Sequence, residues 1–297
     1  ITSKPKDESS VPGSHGMHVS AQPPKSGDAS AHVYPVGRNS QADRLSATTT
    51  WPLTVSVQIP ATGARSGGCR TKQEEAVQEQ PAHLGSRWDE AEDIVGVRVV
   101  PTEPFRHEPG HVVLLRADGA SDGYFAIASA PGEDTPPLFL LKRGGRAADA
   151  ILDLEDGGKL WLKGPMGPGF PLDDCRGRDL VLVGVGTGIA PLRSALVEAL
   201  RDRDSFGRIV LVYGALHEAH FCCLDSVDEW KQAGVEVVLT ASHPDDGGGA
   251  WAGPTGFVQE HLSGLGLRPE KVTALIAGMP AMEEAVRETF VGLGVPA

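Results

Sequence analysis

The chain has 297 residues, enough for about two domains at the usual 100 to 200 residues each. Its 27 Lys and Arg against 39 Asp and Glu leave a formal charge of −12, and its longest basic cluster is Arg201-Asp202-Arg203, which argues against a nucleic-acid partner because phosphates need a basic face. The longest near-apolar stretch, Leu180 to Leu192, carries Gly184, Gly186 and Gly188 and is too short for a membrane span of roughly 18 to 20 apolar residues.

From Ile1 to about Gly85 the chain is rich in Ser, Thr, Pro, Gly and Gln and lacks any sustained period, so residues 1–87 read as a disordered extension. Eight basic and seven acidic residues in 1–85 leave a charge of −13 for the rest, so the acidity belongs to the folded part. Being Ser-rich, the extension has two readings: an organellar transit peptide, plastid or other, or a plain leader. Within it only Trp51 to Ile59 alternates like a strand.

From about Trp88 to Leu172 short β-rich runs follow one another: Ile94 to Val100, His111 to Arg116, Tyr124 to Ala128, Leu138 to Lys142 and Lys159 to Lys163. Gly, Pro and Asp separate them, a spacing that predicts a small antiparallel barrel over 88–172, with a short helix at Ala147 to Leu154. From Arg178 strand and helix alternate. Strands are expected at Asp179 to Val183, Arg208 to Tyr213, Val235 to Thr240 and Thr273 to Ala277, and helices at Ala190 to Arg203, Ser226 to Gln232, Thr255 to Leu262 and Ala281 to Leu293. Near-continuous Val, Leu and Ile strands suit a parallel sheet covered on both faces, which places an α/β domain at 176–297.

The sharpest local signal is Leu180 to Pro191, a buried strand turning through Gly184, Gly186, Thr187 and Gly188 into a helix that begins near Ile189. Glycines let a pyrophosphate approach the backbone, the first helical N–H groups supply donors, and Pro191 suits a first turn that needs no N–H from it. The spacing is not GxGxxG, so the loop alone is a weak Rossmann signature. The four cysteines, Cys69, Cys175, Cys222 and Cys223, are too few and irregular for a disulfide framework or a CxxC metal site. No metal ligand is assigned. His107, His111 and His261 read as ordinary core or surface residues.

Four segments in order resemble the ferredoxin–NADP reductase superfamily. Gly186 to Pro191 is similar to its nicotinamide-nucleotide pyrophosphate loop, Phe125 to Pro131 to its flavin-binding strand, Gly164 to Phe170 to the turn closing its barrel, and Ala277 to Met282 to its C-terminal nicotinamide motif. Within it, the plant fruit-protein kiwi-like oxidoreductases are the nearest resemblance. The resemblance implies a Greek-key barrel binding FAD, then a Rossmann-like domain binding NAD(P)H, with hydride passing between the two rings and electrons leaving singly to an acceptor. It places Tyr124, Phe125, Ala126, Ile127, Ala128 and Ser129 beside the flavin, and Gly145 and Ala148 at its phosphates. Gly184, Gly186, Thr187, Gly188, Ile189, Pro191 and Gly214 fall on the nucleotide, and Gly278 and Met282 border the nicotinamide. No acid or base is assigned, because hydride transfer between stacked rings rests on orientation.

Several positions depart from the family pattern. Where it has Arg, any residue, Tyr and Ser, this chain has Gly123, Tyr124, Phe125 and Ala126, so the bidentate phosphate clamp and the serine hydroxyl are lost. Arg143 and Arg146 are the candidates to replace the charge. Leu216-His217 stands where Arg is frequent, Ser242-His243 leaves the choice between NAD and NADP open, and Ala277 replaces a frequent Cys. After the last helix the chain stops at Gly294-Val295-Pro296-Ala297, where many relatives continue into a strand or a terminal aromatic, so it is either a fragment or lacks that lid. The expectation is a soluble FAD-dependent NAD(P)H oxidoreductase with an unidentified small-molecule or protein acceptor. Two rivals stand beside it: an electron-transfer subunit of a larger complex, and a non-catalytic nucleotide-binding protein with a decayed flavin site.

Overall fold

The computed structural model describes residues 54–58, 77–133, 135–249 and 251–296. Most of the expected extension and its leader function lie outside them. Six strands form an antiparallel sheet: β2 (Glu79–Ala91), β3 (Ile94–Pro101), β4 (Val112–Ala117), β5 (Gly123–Ala126), β6 (Leu138–Lys142) and β7 (Lys159–Met166), in the order β5-β4-β7-β2-β3-β6. The sheet rolls up until its edges meet, where Ala128 N donates to Leu138 O at 2.8 Å and Leu138 N donates to Ser129 Oγ at 3.1 Å. Alternation supplies the lining: Leu84, Val97, Val99, Val113, Leu115, Phe139, Leu141, Leu160 and Leu162 point inward and are buried. Helix α1 (Arg146–Leu152) packs Ile151 and Leu152 onto this core, and Arg87 Nη1 donates to Leu152 O and Leu154 O, both at 2.9 Å, satisfying carbonyls at the helix end.

The barrel therefore starts at Glu79, not at Trp88, and residues 79–87 leave the expected extension. Hydrophobic alternation is weak in Gln80-Pro81-Ala82-His83-Leu84, and Pro81 reads as a strand breaker. It is tolerated near the strand's beginning, where β2 pairs with β7 on one side and β3 on the other.

The second sheet holds β1 (Thr54–Gln58), β8 (Asp179–Val185), β9 (Ile209–Ala215), β10 (Val235–Ala241) and β11 (Val272–Gly278) in the order β1-β11-β8-β9-β10. The last four are parallel, and β1 adds antiparallel to β11, giving the alternating segment in the expected extension a sheet edge to join. Helices α2 (Ile189–Arg201), α3 (Leu224–Gln232) and α4 (Pro280–Gly292) follow the second-sheet strands β8, β9 and β11 respectively. The expected helix at Thr255 to Leu262 is absent: Thr255 makes an isolated bridge to Ala241, and only a 3-10 turn, Val258–His261, forms. Pro254 and Gly256, the latter at φ +100°, break helical geometry, and Glu260 Oε2 accepts from Phe257 N at 3.0 Å to close the tighter turn.

Chain order turns around β8. From it the chain moves outward to β9 and β10, then returns to β11 on the other side, leaving a crevice at the carboxyl ends of β8 and β11. Ligands of open α/β sheets bind at this kind of switch point.

Candidate functional site

The glycine loop, Gly186–Gly188, lies in that crevice between β8 and α2. A Cβ on Gly188 would stand 2.2 Å from Ala277 O, one on Gly184 2.6 Å from Leu192 Cδ1, and one on Gly278 2.3 Å from Met282 Cε and 2.9 Å from Val185 Cγ2. These three glycines let the loop after β8 lie directly on the end of β11, so two separately expected motifs become one surface. Gly186 differs, since φ is +53° with open space around a notional Cβ, so the backbone turn itself requires it. No side chain caps the 3-10 turn Gly186–Gly188, which runs straight into α2 and whose Gly186 and Thr187 carbonyls take the Ile189 N–H, so the uncapped N–H groups are those of the turn. Thr187 is half-buried, whereas Ile189, Pro191, Gly214 and Met282 are buried in the packing beneath.

A residue without an expected role holds this loop. Tyr213, 1% exposed, donates its hydroxyl to Gly186 O at 3.0 Å and accepts from Cys222 N at 3.2 Å. Burial raises its pKa well above the usual phenol value, so it stays a neutral donor. Sequence reading saw Tyr213 only as the end of a strand, and its near-complete burial is a tertiary fact.

On the barrel side β5 pairs Phe125 with Val113 and Gly123 with Leu115, so Phe125 and Gly123 share one face while Tyr124, which is exposed, takes the other. Tyr124 and Phe125 therefore do not stack on the same face of one ring. A Cβ on Gly123 would meet Ala147 Cβ at 2.6 Å and the Phe125 ring at 2.7 Å, so this packing has no room for the family's arginine. Ala126, Ile127, Ala128 and Ser129 are buried, as is Ala148 on the core face of α1, so they offer backbone rather than side-chain contacts. Ser129 spends its hydroxyl on Leu138 N.

Near the start of α1, Gly145 is the N-cap residue with no side-chain cap, and Gly144 N donates to Asp149 Oδ1 at 2.9 Å. Arg143 and Arg146, both exposed, flank this turn, and neither side chain makes an ion pair or hydrogen bond among the described residues. The uncapped Gly145 turn and two free guanidinium groups fit the pyrophosphate of a flavin dinucleotide held by backbone and charge, whereas Phe125, on the inward face with Val113, packs against the barrel core and leaves Tyr124 as the outward ring. The arginine and serine contacts of the family pattern are missing.

The two halves are fixed to each other. Arg193 Nη1 donates to Ala128 O at 2.7 Å and stands 3.5 Å from Glu133 Oε1, which accepts from Ala130 N at 3.0 Å; Ser194 Oγ donates to Ser129 O at 2.7 Å. The helix following the glycine loop is thereby bonded to the segment following β5. A shared apolar cluster lies beneath, with Ala126, Ala128, Leu138 and Leu140 from the barrel against Leu182, Ile189, Leu192 and Leu196. His107 Nε2 also reaches Ser129 O at 3.0 Å, and burial holds its pKa below the usual imidazole value, so it is neutral near pH 7.

Barrel, switch point and glycine loop together define a two-domain fold, an antiparallel barrel followed by a parallel α/β sheet with a nucleotide-type turn after its first parallel strand. Residues 182–288 match the model of the oxidoreductase NAD-binding domain. Over 196 residues the chain is 26% identical to sulfhydrogenase 1 subunit gamma of Pyrococcus furiosus, covering 65% of this chain and 66% of that one. Over 176 residues it is 31% identical to a probable dihydroorotate dehydrogenase B (NAD(+)) electron transfer subunit of Thermococcus kodakarensis, covering 59% and 65%. It thus spans just under two thirds of the length of these relatives. Its fold matches the ferredoxin NADP+ reductase of Neisseria gonorrhoeae solved with FAD and NADP, at a TM-score of 0.61 and 20% identity over 73% of this chain and 92% of that one. Residues 182–288 therefore match an oxidoreductase NAD-binding domain, and the chain as a whole shares the fold of ferredoxin NADP+ reductase. Among the described residues no helix is long and apolar enough to cross a membrane.

Proposed function

We propose that this chain takes hydride from NAD(P)H onto FAD and passes the electrons to a separate acceptor. The observation that carries the reading is the pair of bonds from Arg193 and Ser194 to Ala128 and Ser129, which tie the helix of the nucleotide loop to the strand of the flavin face. Bound flavin supplies the chemistry that turns a two-electron donor into a source of single electrons. The chain's own residues position and hold. Gly186, Thr187 and Gly188 receive the nicotinamide-nucleotide pyrophosphate, and Tyr213 keeps that loop from retreating. Gly278 and Met282 border the nicotinamide. Tyr124, the outward ring of β5, is the aromatic left to the flavin, Gly145 offers backbone N–H, and Arg143 and Arg146 supply charge to its pyrophosphate in place of the absent clamp.

A subunit role is the finer reading of the acceptor, favoured by the names of two relatives, one an electron transfer subunit and one a gamma subunit of a sulfhydrogenase. The acceptor is then a redox protein docked on the folded part.

The test is reduction of ferricyanide, a one-electron acceptor, by NADH or NADPH with FAD added or withheld. Turnover that requires FAD and saturates with one nucleotide is the expected result. No turnover with either nucleotide, in protein shown to be folded, overturns the reading and leaves a nucleotide-binding protein without redox chemistry.

A further inference from the structure

The turn between β2 and β3 presents Glu92, whose N–H donates to Ala219 O at 2.7 Å. The tip of this barrel hairpin is thereby tied to the segment leaving β9. On that segment His217 is buried and His220 half-buried, their rings meet edge to face with centroids 4.1 Å apart, and their Nδ1 atoms stand 3.4 Å apart. His217 Nε2 is 3.7 Å from Glu92 Oε2. One donor atom from each of the three residues lies within 4.8 Å of the other two. The proposed electron transfer uses none of them.

Two nitrogens bound to a tetrahedral zinc at about 2.0 to 2.1 Å lie roughly 3.4 Å from each other. The histidine pair already has that separation without any movement of the backbone. Glu92 Oε2 now faces His217 Nε2 rather than Nδ1, and with 53% of its side chain exposed its carboxylate can turn toward the Nδ1 edge to become the third ligand. Lys142 nearby opposes a cation, and Asp93 at the same hairpin tip offsets it. We infer that Glu92, His217 and His220 bind one divalent ion of the zinc class, with water completing its coordination. Since Glu92 comes from the barrel and both histidines from the nucleotide domain, the ion latches the two domains together, two residues beyond the end of β9.

The test uses the full chain, freed of metal with EDTA and titrated with Co2+ while its visible absorption and thermal midpoint are followed. The expected result is one equivalent bound, with ligand-field bands and a higher midpoint. His217 is buried, so folding is safest in His220→Gln and Glu92→Gln, which replace more accessible ligands. Removing one of three ligands weakens cobalt binding at least roughly tenfold in each variant, as loss of even an outer-shell partner can do. A wild-type chain that binds no cobalt overturns the inference. So does cobalt bound equally well by wild type and both variants, since the ion then sits elsewhere on the chain.

Discussion

The two cofactor faces keep their chemistry in different ways. On the nicotinamide side the backbone shapes the site: Gly188 is required by the Ala277 carbonyl that a Cβ would meet, while Gly184 and Gly278 are packed by the movable ends of Leu192 and Met282. On the flavin side the strand and turn are in place while the side chains have changed: Gly123 stands under Phe125, Ala126 offers no hydroxyl, and exposed Arg143 and Arg146 are the guanidinium groups proposed to supply the charge. A site built from backbone constrains the few residues that admit it. A site built from side chains can exchange them as long as an equivalent charge remains nearby.

Gly188→Ala gives the largest effect, because its methyl group would press on the backbone carbonyl of Ala277 rather than on a movable side chain. Reduction by NAD(P)H falls at least about a hundredfold, the scale of a misplacement near 1 Å, while FAD binding persists, as flavin absorbance retained on gel filtration will show. Arg193→Ala acts on the connection between the faces. It removes the charged bond to Ala128 O and the longer contact to Glu133, which keeps its bond from Ala130 N, and costs about 2 kcal/mol, read as a lower urea midpoint at unchanged slope. Tyr213→Phe leaves Gly186 O and Cys222 N without their partner, costs about 1 to 2 kcal/mol, and raises the KM for nucleotide more than it lowers kcat.

On the flavin side, replacing both Arg143 and Arg146 by Ala weakens FAD by roughly tenfold and flattens the salt dependence of binding, because both groups are exposed and screened. FAD fluorescence quenching at two ionic strengths measures it. If neither affinity nor salt slope changes, charge compensation is wrong and the flavin face relies on backbone alone.

The smallest effect concerns the buried thiols. Burial pushes Cys175 and Cys222 up to about 12 from an ordinary value of 9.0, so both stay protonated in the folded state where the unfolded chain would ionise. The folded state then binds more protons between those values, and stability present below pH 9 declines as pH rises toward 12. In a Cys69→Ser variant, iodoacetamide at pH 8 labels neither until the protein is unfolded.

Much of this fold was legible before any coordinates. The parallel strands stand out as unbroken Val, Leu and Ile runs, and Leu138–Lys142 falls where a short apolar run between turn residues places it. The first barrel strand was hidden by Pro81 and by mixed residues whose pairing comes from both neighbours. Thr255 to Leu262 carries a helical spacing that Pro254 and Gly256 overrule. Of the site, the glycine loop was visible because its chemistry is local. Tyr213 was not, since its hydroxyl acquires meaning only when Gly186 and Cys222 reach it, and Glu92 lies too far along the chain from His217 and His220 to suggest a cluster. Alternation in β5 was the readable warning that Tyr124 and Phe125 serve opposite faces.

The most direct test of the joined cofactor faces is an anaerobic visible spectrum of the FAD-loaded chain before and after one equivalent of NADH or NADPH. The account predicts an oxidised flavin spectrum that bleaches within the mixing experiment with at least one nucleotide, and bleaches far more slowly in Gly188→Ala. Flavin that stays oxidised with both nucleotides, or protein that retains no FAD at all, contradicts it.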